Sequence, residues 1–166
     1  MATRSLVVAV ALAALVGPTS AGQPTLRYEK PTGYAVSNGA HVETWVADGL
    51  DSVIQVYAFR PYQGDFRREF RRGLFRDRIA AAYQEDKLLA PPIFQAMAIN
   101  GAESALAVSF TNFNGGAPRE HLRVAILAAG LVAIVDISAN SPEAFERNSP
   151  SVSRLLRSLH VVGVGL

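Results

Sequence analysis

EHLRVAILAAGLVAIVDISA, residues 120–139, is two apolar runs meeting at Gly130. Glu120 to Ala128 and Leu131 to Ala139 each have the length of a strand, and the glycine between them supplies the backbone freedom a tight reversal needs. Leu122, Val124 and Ile126 alternate with Ala125 and Leu127, so both faces of the first run are apolar. A strand of that kind is buried on two sides, which predicts a sheet covered above and below. A membrane helix does not fit: Val124 to Val135 is twelve residues closed by Asp136, and a bilayer needs about 20.

Further hairpins lie upstream. Ile93 to Ile99 and Glu103 to Phe113 flank Asn100-Gly101, and Asn114-Gly115-Gly116 turns the chain into the central pair. His41 to Asp48 and Ser52 to Phe59 flank Asp48-Gly49, a dipeptide that tolerates the positive φ of tight turns. Alternation puts His41, Glu43, Trp45 and Ala47 on one face of that strand and Val42, Thr44 and Val46 on the other. Asn38-Gly39 marks an earlier turn, and Gly22 to Pro31 reads as an edge strand or extended arm.

Helices fill the remaining segments. Asp65 caps one reaching to about Asp86. Phe66, Phe70 and Leu74 form one stripe of it while Phe75, Ile79 and Ala82 lie almost opposite, which predicts a bend near Gly73 or burial of both sides. Pro91-Pro92 ends that region. Ser141-Pro142 opens one short helix and Ser149-Pro150 another, the second with Val152, Leu155, Leu156 and Leu159 as its apolar face. Gly163-Val164-Gly165 reads as a flexible tail. The fold class expected is α+β: an antiparallel sheet of about six strands covered by helices on both faces.

The N-terminus bears on location. Arg4 precedes an apolar run from Leu6 to Val16, and Gly17-Pro18 breaks it before Thr19-Ser20-Ala21. This order of basic region, apolar core and small-residue site is that of a secretory signal peptide, here residues 1–21, leaving one globular domain over 22–166. The expected destination is the periplasm or the medium, with no transmembrane segment after cleavage. The chain has no cysteine, which excludes a disulfide frame, thiol chemistry and a lipid anchor on cysteine. It carries 16 basic and 14 acidic residues; loss of Arg4 with the leader makes the balance nearly even, which argues against nucleic acid as a partner.

With an extended arm in front, the order hairpin, long helix, four-strand meander and C-terminal helix resembles the PsbP-like family. This α/β/α group includes the PsbP protein of photosystem II, the Ran-binding Mog proteins and the DcrB-like exported proteins of bacteria. Local likeness lies in Tyr28-Glu29-Lys30-Pro31-Thr32-Gly33-Tyr34, similar to that group's opening proline-x-glycine-aromatic pattern, and in the closing Ser153-Arg154-Leu155-Leu156-Arg157-Ser158-Leu159. The resemblance implies a binding or assembly protein. It carries over no catalytic residues, because the group shares no catalytic constellation.

A metal needs three or four converging ligands, and His41, His121 and His160 are far apart in sequence; His41 and Glu43 share a strand face, as two residues of a partly exposed strand end. No Gly-x-Ser-x-Gly elbow and no phosphate loop is present, so no catalytic residue, metal or cofactor is assigned. Carboxylate pairs such as Asp48 with Asp51 or Glu85 with Asp86 have no sequence signature; solvation of turns and helix ends accounts for both.

The one suggestive feature is basic. Seven arginines lie between Arg60 and Arg78 against Asp65, Glu69 and Asp77. Arg67, Arg68, Arg71, Arg72, Arg76 and Arg78 spread over a helix, with Arg67, Arg71 and Arg78 in a narrow sector. Arg67, Arg68, Arg71, Arg72 and Arg78 are the candidate contacts for an anionic partner, set against a plain solvated face neutralised by Asp65 to Arg68 and Glu69 to Arg72 neighbours. The function expected is an exported, non-enzymatic binding or assembly module of the bacterial envelope, taking a protein or anionic envelope component. The alternative is a small secreted hydrolase with a carboxylate or serine site.

Overall fold

The computed structural model describes residues 22–71, 90–114 and 117–163. In chain order these form β1 (Thr25–Arg27), β2 (Tyr34–Asn38), β3 (Val42–Ala47), β4 (Ser52–Pro61), α1 (Phe66–Arg71), β5 (Ile93–Met97), β6 (Ser104–Asn114), β7 (Ala117–Ala128), β8 (Leu131–Ala139), α2 (Pro142–Ser158) and β9 (His160–Val162). Seven strands make one antiparallel sheet in the order β2-β3-β4-β8-β7-β6-β5, and β1 pairs with β9 in a separate ribbon. The expected hairpins all form. The central one reverses at Ala129 and Gly130, both at positive φ, the backbone that matches strand twist in a two-residue turn.

The strand count departs from about six because β2 adds an edge strand to the β3–β4 hairpin, from Tyr34↔Ala47 to Asn38↔Glu43. His160 to Val162, where no strand was expected, is the strand β9, pairing with the N-terminal arm; Val164 and Gly165 of the expected tail lie outside the described residues. Gly101 locks that closure onto the sheet: its φ is +77°, and an added Cβ would stand 2.3 Å from the Val161 carbonyl oxygen, while the Val161 N–H donates to the Asn100 carbonyl at 2.8 Å.

One face of the sheet, called the first face here, carries the main core. Ile54, Val124, Ile126, Ala133, Val135 and Ile137 are fully buried there with Trp45, and Val152, Leu155 and Leu159 pack onto them from α2 and its end. Apolar burial at about 25 cal/mol per Å² is the force that holds this layer. It also explains a second correction. Residues 142–158 form one helix that runs through Pro150, although an interior proline costs about 3 kcal/mol. Ser141 caps the start, accepting from the Ala144 N–H at 3.1 Å. The buried face, with Ala144 before the proline and Val152 and Leu155 after it, keeps both halves on the sheet.

The second face differs along its length. Near the β7–β8 turn, Leu106, Ala125, Leu127 and Val132 pack with Phe66 of α1. Asp65 caps α1 as expected, its Oδ1 accepting from the Arg68 N–H at 3.0 Å. The rest of the anticipated long helix, with Gly73 and the opposed Leu74 and Phe75 stripes, lies outside the described residues. Among the described residues no helix is long and apolar enough to cross a membrane.

Candidate functional site

At the other end of the second face the same strands turn polar. The β7–β8 register sets Arg123 opposite Asp136 and His121 opposite Ser138. Pairing with β4 brings Gln55 beside Asp136, and pairing with β6 brings Phe110 beside His121. Side chains two residues apart on a strand share a face, so these converge with Asn112 around a hollow of about 230 Å³. The expectation that both faces of β7 are apolar therefore holds only for its turn-proximal half.

The hollow's hydrogen bonds are specific. Arg123 donates from Nε to Asp136 Oδ2 at 3.1 Å and from Nη2 to the same oxygen. Asp136 Oδ1 is shut off from solvent and accepts nothing. His121 Nε2 meets Asn112 Oδ1 at 3.1 Å, and its ring stacks on Phe110 at 4.6 Å between centroids. Tyr57 donates its hydroxyl to Gln55 Oε1 at 3.1 Å. The Gln55 and Asn112 amide nitrogens and the Ser138 hydroxyl make no hydrogen bond within the described residues.

Ser138, His121 and Asp136 are the residue types of a nucleophilic triad. Their connections are not those of one. A triad needs serine hydrogen-bonded to histidine and the carboxylate on the other ring nitrogen. Here Asp136 is taken by Arg123, His121 Nε2 by Asn112, and the Ser138 hydroxyl by neither. The hollow's lining presents the Gln55 and Asn112 amides and the Ser138 hydroxyl, while Asp136 Oδ1 lies beneath the surface.

A second depression, of about 390 Å³, lies where the arm crosses β3 and β4, with Leu26, Tyr28, His41, Glu43, Val56 and Phe59 among its lining. His41 and Glu43 do share it, as strand alternation predicts. The Tyr28 hydroxyl donates to Glu43 Oε2, and burial, reinforced by that carboxylate, pushes the Tyr28 pKa up. Behind them Trp45 is 4% exposed and its Nε1 has no acceptor in hydrogen-bond geometry. Among the described residues no three metal-ligating side chains come together.

The arginines are partly placed. Arg67 forms an ion pair with Glu103. Arg68 faces Asp65 at 3.9 Å, the neighbour pair anticipated. Glu69 is 5% exposed and its Oε2 accepts from the Tyr62 hydroxyl at 2.7 Å. Arg71 closes α1, while Arg72, Arg76 and Arg78 lie outside the described residues, as do Glu85 and Asp86. Asp51 ties the β3–β4 turn to α2, accepting from Arg147 Nη2 at 2.5 Å and Asn148 Nδ2 at 3.3 Å; the Arg147 bond holds its pKa below the ordinary value.

Gln55, Asn112, His121, Arg123, Asp136 and Ser138 are scattered along the sequence, and no local motif joins them. One signal was available. His121 with Ser138, and Arg123 with Asp136, are equidistant from the Ala129-Gly130 turn, so a two-residue hairpin must bring them face to face. Gln55 and Asn112 join through strand order, which carries no local mark.

No known family profile and no curated protein sequence matches the chain. Solved structures do. LpqN of Mycobacterium tuberculosis, described as involved in cell envelope biogenesis, superposes with a TM-score of 0.57 at 11% identity, covering 87% of each chain. The cyanobacterial PsbP of Synechocystis superposes with a TM-score of 0.52 at 14% identity, over 87% of this chain and 96% of that one. Agreement over that much of the chain at such low identity is agreement of fold, and the fold of this protein is the PsbP-like one.

Proposed function

We propose that the protein is an exported, non-enzymatic binding or assembly module of the bacterial cell envelope, acting in the periplasm or outside the cell. One observation carries the proposal: a leader-type segment, residues 1–21, stands directly ahead of a domain with the fold of LpqN, a protein involved in cell envelope biogenesis. The absence of cysteine accords with a domain held by packing alone. The anionic-partner surface is the arginine-bearing start of the helix after Asp65, Arg67, Arg68, Arg71, Arg72 and Arg78. Nucleic acid is not the partner.

The test is recovery of the protein from fractionated cells, with N-terminal sequencing and gentle crosslinking. The expected result is an envelope or medium fraction whose chain begins at Gly22 and crosslinks to one defined partner. Intact chain with Met1 in the cytoplasm overturns the proposal. Reversing the charge at Arg67, Arg71 and Arg78 together is expected to weaken the association; an unchanged association removes that surface from it.

The second reading is a small secreted hydrolase, for which Ser138, His121 and Asp136 supply the residue types in one hollow without the hydrogen bonds of a triad. Its expected signature is turnover of an activated ester that Ser138→Ala abolishes. Equal rates for the two proteins eliminate it.

A further inference from the structure

We propose that the protein pairs with a second copy of itself through the outer edge of β2, the two strands meeting antiparallel about a two-fold axis at Val36 and joining two sheets into one. The pairing goes beyond the envelope reading and is independent of compartment and partner.

The edge is open and unguarded. β2 ends the sheet, and among the described residues its backbone pairs with β3 alone. Four of its five residues are exposed, Val36 to 48%. A free edge presents a row of N–H and C=O groups ready to take another strand, and proteins ordinarily blunt it with lysine, proline, a bulge or a covering segment. β2 reads Tyr34-Ala35-Val36-Ser37-Asn38, without a charge or a proline, and its pairs with β3 run on without a register shift. The chain just before it is tied to α2 instead: the Glu29 N–H donates to Ser158 Oγ at 2.7 Å, and Ser151 Oγ donates to the Thr32 carbonyl at 3.0 Å.

The edge is also held in place, so pairing costs little further ordering. Val36 stands opposite the buried Trp45, the Tyr34 hydroxyl donates to Ser52 Oγ at 3.0 Å, and the Asp48 N–H donates to the Gly33 carbonyl at 3.1 Å. Self-complementarity selects the occupant. A two-fold axis at Val36 sets Tyr34 of one copy opposite Asn38 of the other and Ala35 opposite Ser37, so no like charges face each other and the two exposed valine side chains meet. The contact continues the antiparallel sense of the sheet, and it is of the symmetric kind commonest among homo-oligomers. A formal net charge of only +2 leaves two copies little to repel each other with. Five residues a side fall well short of the roughly 20–30 of a standard interface, so the dimer is weak, with a Kd of about 100 µM.

The test is sedimentation velocity of the purified protein from about 5 to about 500 µM, a range that brackets that affinity. The weight-average mass is expected to climb from one chain toward two. Val36→Lys sets two ammonium groups against each other at the axis and is expected to weaken association about tenfold with the thermal midpoint in place, as is Val36→Glu. An equimolar mixture of these two variants is expected to restore the dimer, a result specific to β2 meeting β2. Ile93→Lys, on the opposite edge strand where that side chain is 71% exposed, is expected to change nothing. In the unmodified chain, hydrogen exchange at the outward-facing β2 amides is expected to slow as concentration rises, a readout that needs no variant to fold. A monomer at every concentration overturns the inference and leaves the edge to a strand from another protein. So do association that survives Val36→Lys, a mixture that stays monomeric, and slowed exchange confined to other strands.

Discussion

On β7 and β8 the two faces of the sheet carry opposite solutions to the same burial. The first face stacks Val124, Ile126, Val135 and Ile137, all at 0% exposure, beneath α2. The second face is apolar near the turn and then gives way to Arg123, Asp136, His121 and Ser138. Both faces are formed by the same backbone and the same register, so the difference lies in side-chain chemistry. The first face is continuous apolar packing. The second interrupts that packing with a patch of paired polar side chains, and this contrast can be broken experimentally.

The largest effect is expected on the first face. Ile137→Ala leaves a cavity under α2 and should lower stability by about 2–5 kcal/mol, measured by urea denaturation. A smaller loss, about 1–3 kcal/mol, is expected for Asp136→Ala, which takes the carboxylate from Arg123, a side chain 35% exposed. Replacing both members with leucine should then bring stability to within about 1 kcal/mol of the parent or above it, because matched apolar groups often equal an ion pair. A double variant as unstable as Asp136→Ala would show that the pair serves the fold, and the contrast between the faces would fail.

The smallest effect concerns the tie that holds the β3–β4 turn against α2. Arg147 keeps the Asp51 pKa below its ordinary value, so folding favours the ionised form. The tie's contribution is present above the unfolded-state pKa, about 3.9, and is lost as pH falls through the lower folded-state value. Asp51→Asn should therefore be less stable than the parent at neutral pH, with the gap closing in acid; a gap that ignores pH would exclude the charge as its cause.

How much was visible beforehand follows from how local each signal is. The Asp48-Gly49, Asn100-Gly101 and Ala129-Gly130 reversals are local, and each hairpin forms where its turn residues stand. Pro150 misled because a proline's local penalty was weighed without the burial of Val152 and Leu155 that offsets it. β2 and β9 were missed for a related reason: each is short, and each exists only through a partner strand. The candidate hollow was half legible, in the symmetric placing of His121, Arg123, Asp136 and Ser138 about one turn. Its other half, Gln55 and Asn112, depended on β4 lying beside β8 and β6 beside β7.

From its sequence alone this chain is an α+β protein of consecutive hairpins, because turn chemistry and two-residue alternation act between near neighbours. Tertiary structure alone decided that the arm closes on the last strand, that one helix runs through Pro150, and that six polar side chains from four strands meet in one hollow. Those outcomes rest on contacts between residues far apart along the chain, whose free energy appears only once the strands have taken their order.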